Sequence, residues 1–354
     1  LTAGKTHDNL CAIDFIRRLS PLMASMKDVA RLASVSESTV SRVLNQSLPV
    51  DEDTRLRVQD AIRKLNYRPN LLAKGLRSRS GKLIGLVVPE IVHHTFASFI
   101  QFIEESVVAR GCGLILGNHK NNPELEESFI DDLIRRNVDG IIFSRVSDES
   151  RVMRLINETG IPVVVIDRAV EQEEVASVVL DNHQAGVLAG EHLGSAGHRK
   201  IACVTGPLKI SLCRERLAGL NEALARFQTG VEADWTFEGD FKFESGYLGA
   251  RELFTAHPDI TAVWAQNDLM AVGVLKYLLE RGRSVPREVS VMGMDDISLA
   301  RMITPSLTTV VQPFSEICER AVDLLLRQKN GDGSRTEKVV IKPGLVVRDS
   351  TASR

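Results

Sequence analysis

Beyond residue 82, apolar residues fall into short unbroken blocks, and between the blocks they recur at every third or fourth position. Blocks at 83–88, 113–116, 140–143 and 162–166 form a first series, and blocks at 201–205, 262–265, 289–292 and 307–311 form a second. Such short runs, apolar on both faces, predict parallel strands covered by helices on either side. The periodic stretches near 96–110, 123–137 and 149–158, and then near 183–195, 212–227, 244–256, 268–281 and 314–328, predict those helices. Strands and helices alternating in this way make doubly wound α/β sheets, and two series predict two lobes.

The chain ahead of residue 82 has a purely helical rhythm. Ser25 followed by Asp28 is a capping box, which supplies acceptors for the free N–H groups that open a helix. Val29, Ala30, Leu32 and Ala33 then give an apolar face, and Ser34-Val35-Ser36 breaks the helix with Val35 as a buried pivot and Ser36 as the next N-cap. In the second helix Val40, Val43 and Leu44 turn inward, leaving Glu37, Ser38, Ser41, Arg42 and Asn45 outward. A short helix presenting small polar groups and an arginine suits the DNA major groove, where such side chains reach base edges. Asp51 caps a third helix that packs through Val58, Ala61, Ile62 and Leu65. The expected organisation is a disordered extension at 1–22, a helix-turn-helix head at 23–69, a hinge at 70–81 and a two-lobed domain at 82–354.

The hinge is too short to hold a helix alone, and Gly75 weakens it further. It nevertheless sets Lys74, Arg77 and Arg79 beside exposed leucines. Basic groups hold phosphates while an apolar wedge can enter a base step from the minor groove, so this segment reads as either a basic solvated linker or a helix that forms on DNA.

Charge sharpens the division. Residues 23–80 carry 11 Lys/Arg against 6 Asp/Glu, whereas residues 81–354 carry a balance of −8. A basic head on an acidic body is what a nucleic-acid module joined to a non-binding domain shows. No run of apolar residues reaches membrane-spanning length, and the charges Asp14, Arg17 and Arg18 interrupt any secretory pattern. Five scattered cysteines with no C-x-x-C fit reduced thiols in the cytoplasm.

In doubly wound folds ligands bind beyond the C-terminal ends of the strands. Those positions hold Asp167 and Arg168, Arg214 downstream of Thr205-Gly206-Pro207, Asn267 and Asp268, and Asp295 and Asp296. Carboxylates, an arginine and an amide converging on a cleft read hydroxyl groups, and Phe96 and Phe241 can cover a ring face. Asp268 and Asp296 read as helix caps. Enzyme signals are weak: Gly194-Ser195-Ala196-Gly197-His198 is not a nucleophile elbow, Gly111 to Gly117 is not a dinucleotide fingerprint, and there is no P-loop. His93 and His94 are adjacent and cannot share a metal from one strand face. No catalytic set, metal site or cofactor is expected.

Several motifs closely resemble the lac repressor/galactose repressor family of bacterial regulators. They are Lys27-Asp28-Val29-Ala30, Val35-Ser36, Thr39-Val40-Ser41-Arg42-Val43-Leu44-Asn45, Tyr67-Arg68-Pro69-Asn70 and Gly197-His198-Arg199-Lys200-Ile201. Gly239-Asp240-Phe241, Asn267-Asp268-Leu269-Met270-Ala271 and Pro305-Ser306-Leu307-Thr308-Thr309 extend the match. Within the family, residues 201–208 and Met294-Asp295-Asp296-Ile297 look most like ribose operon repressors, although Met294 replaces the usual tyrosine.

The resemblance implies a periplasmic-binding-protein-like effector domain, a homodimer or tetramer, a palindromic operator and a small sugar effector such as ribose. It places Glu37, Ser38 and Arg42 at base-reading positions and Leu76 at the minor-groove wedge. Lys27, Ser36, Thr39, Ser41, Asn45, Tyr67, Asn70, Lys74 and Arg77 complete the expected DNA contacts. Arg214, Asn267, Asp295, Phe241, Gln312, Asp167 and Phe96 are the expected effector contacts. The related purine repressor's ligand-contacting Arg and Thr would fall at Ile210 and Leu212 here, a departure that favours a sugar. The alternatives are a corepressor-activated regulator answering to a purine or sugar phosphate, and, in another class, a sugar-binding or sugar-modifying protein.

Overall fold

A computed structural model describes residues 24–45, 48–67, 82–145, 152–168 and 175–354. The chain divides into two compact units, Leu1–Gly81 and Lys82–Arg354.

In the first unit, α1 (Met26–Ala33), α2 (Glu37–Asn45) and α3 (Glu52–Lys64) pack around Val29, Ala30, Ala33, Val40, Val58, Ala61 and Tyr67. The capping box forms in both directions: Ser25 Oγ accepts from the Asp28 amide at 3.2 Å, and the Asp28 carboxylate accepts from the Ser25 amide at 2.9 Å. Ser34 closes α1 in the left-handed conformation, and Asp51 caps α3 by accepting from the Thr54 amide at 2.9 Å. Leu32 departs from its expected place. It stands 51% exposed, because Val29, Ala30 and Ala33 already fill the narrow face of this two-turn helix.

The second unit holds two six-stranded sheets. One contains β1 (Leu83–Val88), β2 (Gly113–Asn118), β3 (Gly140–Phe143), β4 (Val163–Ile166), β5 (Ala176–Leu180) and β11 (Lys338–Ile341) in the order β11-β5-β4-β3-β1-β2. The other contains β6 (Ile201–Thr205), β7 (Thr236–Glu238), β8 (Ala262–Ala265), β9 (Ser290–Asp295), β10 (Thr308–Val311) and β12 (Gly344–Val346) in the order β12-β10-β9-β8-β6-β7. All pairings are parallel except β10 with β12. Helices α4 (His94–Ala109), α5 (Pro123–Arg135) and α6 (Val152–Thr159) belong to the first lobe. The second lobe has α7 (Asn182–Ser195), α8 (Ser211–Ala225), α9 (Phe243–Ala256), α10 (Asp268–Glu280) and the short α11 (Ser298–Met302).

The two lobes do not follow the two halves of the sequence. Helix α12 (Phe314–Asn330) packs on β3, β4 and β5, and β11 pairs with β5, so the chain returns to the first lobe before ending in the second. It therefore passes between lobes after β5, after β10 and after β11. The short, half-exposed strands β7, β11 and β12 lack apolar runs, and β5, although buried, also falls outside the predicted blocks.

Glycines let the paired helices of the second lobe touch backbone to backbone. A Cβ on Gly186 in α7 would lie 2.0 Å from the Arg216 carbonyl oxygen in α8, and one on Gly219 in α8 would lie 2.0 Å from the His183 carbonyl oxygen in α7. The close approach fixes the position of α8, which carries a residue central to the cleft.

Candidate functional site

In the head, Lys27, Glu37, Ser38 and Arg42 are exposed, while Thr39 and Ser41 are half-buried. Ser36 is exposed and also caps α2, its hydroxyl accepting from the Thr39 amide at 3.2 Å. The start of α2 thus presents a row of hydroxyls and one carboxylate, with Arg42 in its last turn. Tyr67 is 9% exposed and its ring packs in the head core. The Asn45 side chain and Asn70, Lys74, Leu76 and Arg77 lie outside the described residues, as does the extension at 1–22.

In the second unit a cavity of about 710 Å³ opens at the strand ends between the lobes. Phe96, Asp167, Phe241, Asn267, Asp295 and Gln312 all line it, together with His93, Thr95, Arg168, Ile210, Leu212 and Arg216. Arg214 does not. It is exposed on α8 and donates to the Leu208 carbonyl at 2.6 Å. The arginine that enters the cleft is Arg216, two positions on, which the helical turn rotates inward. Arg216 is 5% exposed; its Nε donates to Asn182 Oδ1 at 2.9 Å and its Nη1 to the Gln266 carbonyl at 3.0 Å. Asn182 opens α7 just after the first passage between lobes, so the guanidinium is anchored where the lobes join. Counting the helical phase from the N-cap at Ile210 was the signal that could have separated the two arginines.

Asp295 ends β9 and is 4% exposed. Burial pushes its carboxyl up to about 7, against the pull of Arg216 and a hydrogen bond from Thr95, while Asp167 adds to the rise. Behind it lies Asp268, wholly buried, accepting from the Ile297 amide at 2.9 Å and from Thr309 Oγ1 at 2.6 Å. Burial first, and then Asp295, hold its pKa well above the usual carboxylate range. The N-cap of α10 is not Asp268 but Asn267, whose Oδ1 accepts from the Met270 amide at 2.9 Å and whose Nδ2 donates to the Phe241 carbonyl at 2.8 Å. Asn267 therefore shapes the cleft with both ends of its amide already engaged. Asp296 is not a cap either; it pairs with Arg348 at 2.6 Å.

Three of the lining residues, Asp167 (φ 67°), Phe241 (φ 68°) and Asp295 (φ 112°), adopt left-handed backbone conformations that side chains disfavour. Strain of this kind persists where the surroundings fix it, and it clusters at functional sites. The Phe241 ring sits where a Cβ on Gly206 would be, at 2.1 Å, so Gly206 makes room for this wall.

His93, which the sequence left in a loop, is a lining residue that pattern could not reveal. Its ring stands between Phe96 and Phe241 at centroid distances of 5.9 and 6.3 Å. Burial lowers its basicity, opposed by the Phe241 carbonyl and Asp167, and its Nδ1 has no hydrogen-bond partner among the described residues. No group of three or more His, Cys, Asp or Glu among the described residues could hold a metal ion, and no helix there is long and apolar enough to cross a membrane. The arrangement is an aromatic-walled cavity whose charged lining includes the buried Arg216 and the buried Asp295. It can orient a small polar ligand through directed hydrogen bonds.

The profile of bacterial regulatory proteins of the lacI family matches residues 25–70, and that of the periplasmic binding protein-like domain matches residues 191–351. The HTH-type transcriptional repressor PurR of Klebsiella pneumoniae (strain 342) is 35% identical over 332 residues, covering 93% of this chain and 97% of the relative. Among solved structures, a lac repressor dimer bound to operator and the anti-inducer ONPF superposes with a TM-score of 0.86 at 29% identity, covering 93% of this chain and 99% of that one. A complex of the transcriptional regulator CelR with cellobiose gives 0.71 at 31% identity, covering 92% and 99%. These relatives are repressors and regulators, not enzymes, and the curated one is a PurR where the sequence had pointed to ribose operon repressors. The chain belongs to the lacI family of bacterial regulatory proteins, as a DNA-binding transcriptional repressor controlled by a small ligand.

Proposed function

We propose that the cleft binds a small sugar, a pentose such as ribose, and that binding lowers the affinity of the head for a palindromic operator. The observation that carries this reading is that the buried Arg216 and Asp295 line the same cavity as Phe96 and Phe241, with Ile210 and Leu212 also lining it. Arginine donates paired hydrogen bonds to neighbouring hydroxyl oxygens, a carboxylate accepts them from the hydroxyls, and aromatic faces cover the apolar side of a sugar ring. At Ile210 and Leu212, where the purine repressor's ligand-contacting Arg and Thr would fall, there is only hydrocarbon, which cannot read the polar edge of a base. Likeness to the cellobiose-bound regulator supports the sugar reading. The overall likeness to PurR supports a second reading, a corepressor that strengthens operator binding.

The protein works in this account as a cytoplasmic homodimer, or a pair of dimers, in which lobe movement at three crossing points sets the spacing of the hinge segments at 70–81. A ligand that binds one lobe arrangement about 5.5 kcal/mol more tightly than the other would swing the population from 99:1 to 1:99. Thermal unfolding with ribose, other pentoses, hexoses, their phosphates and purines tests the site. Ribose is expected to raise the melting temperature, with the bases inert. A shift produced by purines alone would overturn the sugar reading in favour of corepression.

A further inference from the structure

The segment 93–95 at the start of α4 belongs to the first lobe, yet its side chains reach the second. Thr95 Oγ1 donates to Asp295 Oδ2 at 2.8 Å, a buried hydrogen bond between residues 200 apart in sequence. Two residues earlier, His93 Nε2 approaches Asn267 Nδ2 at 3.5 Å. Asp295 as acceptor and Asn267 as donor both sit at strand ends of the other lobe. Thr95 is 8% exposed, so its hydroxyl is screened from water and has a single geometry in which to act.

We propose that Thr95 is a positioning residue for effector binding: from across the cleft it holds one oxygen of Asp295, so that the other faces the ligand only when the lobes are together. This rests on the reading of the cavity as the effector site. Asp295 offers few alternatives. Its backbone is fixed at φ 112°, and Thr95 is the one side-chain donor to it among the described residues. The charged groups around it are Arg216 from α8, Asp167 from the end of β4, and Asp268 behind it at the start of α10. Arg216 favours the ionised carboxylate electrostatically, and Thr95 opposes free rotation by tying Oδ2 to the facing lobe. A ligand hydroxyl entering between them meets an acceptor already aimed. The same hydrogen bond favours the ionised carboxyl, whose midpoint burial has raised to about 7. Opening the lobes removes that donor, so lobe position and the protonation of Asp295 are linked.

The test uses the full-length protein with Thr95→Val, nearly the same shape without the hydroxyl, and Thr95→Ser, which keeps it. Thr95→Ala serves as a second hydroxyl-free variant if valine disturbs α4. In the ligand-free protein labelled with 13C at aspartate carboxyls, the Asp295 signal is assigned by its loss in Asp295→Asn. Its midpoint is expected to rise in the hydroxyl-free variants and to stay in place with serine. Calorimetric titration with ribose from pH 5.5 to 8.5 is expected to show binding weakened about tenfold without the hydroxyl and within about threefold with serine. Folded hydroxyl-free variants with an unmoved Asp295 midpoint and unchanged ribose affinity would overturn the proposal. If wild type binds no ribose, the sugar reading fails by itself, and the carboxyl titration still decides whether Thr95 governs Asp295.

Discussion

Asp295 concentrates the chemistry of the cleft in one carboxyl. A carboxyl whose midpoint in the folded protein lies near 7, well above its ordinary value of 3.8, favours folding while protonated. That favourable contribution is complete below about pH 4 and is lost as pH rises through 7, where the folded protein must hold a buried charge. Asp295→Asn should therefore stabilise the ligand-free protein by roughly 2–4 kcal/mol at pH 8, and by much less at pH 5. The same change should abolish measurable sugar binding. Paired melting curves of wild type and variant across that range check the sign; a difference independent of pH would mean that Asp295 is not the group that titrates. In the head, Arg42→Ala should cost roughly 1–3 kcal/mol at one base pair of each half-site, read by titrating operators with single changes. An equal loss on every sequence would make Arg42 a phosphate contact. Residue identity was legible at the strand ends, where Asp167, Asn267 and Asp295 were chosen because that is where such folds bind. What it could not give was direction. Arg214 and Arg216 differ by two helical positions, and only the phase of α8 decides which enters the cleft. Sequence pattern places His93 in a loop and gives Thr95 no signal, because both meet residues of the other lobe.

Elements were more legible than side-chain directions. The apolar blocks marked eight strands within a few residues, because strands buried on both faces admit little else. β7, β11 and β12 are edge or near-edge strands with exposed or half-exposed residues, so their sequences carry polar groups and hide the pattern. The glycine contacts between α7 and α8 were equally hidden, since a glycine's use depends on what its missing Cβ would strike. Gly186→Ala should force the two helices apart at the Arg216 carbonyl, where the added carbon would lie only 2.0 Å away. A loss of about 2 kcal/mol or more in denaturant unfolding is expected, together with weaker ligand binding because α8 carries Arg216. Unchanged stability and affinity would mean that the helices yield without moving the guanidinium.

At the scale of the whole molecule, the alternation of strands and helices announced two lobes but not how the chain threads them. Two series read in order suggest one passage between lobes; α12 and β11 returning to the first lobe make three. Such repeated crossing lets the lobes rotate as bodies while keeping their ends in register, and it places Gln312 beside the second passage, where it lines the cavity. A ligand seated between Arg216, Asp295 and the aromatic walls touches both lobes, so its binding energy depends on their arrangement, and that dependence is what an effector needs. The most direct test titrates full-length protein onto a palindromic operator with and without saturating ribose at fixed salt. Ribose is expected to lower operator affinity at least tenfold, with no response in Asp295→Asn. An operator affinity that ribose leaves unchanged, or that a purine raises instead, would contradict it.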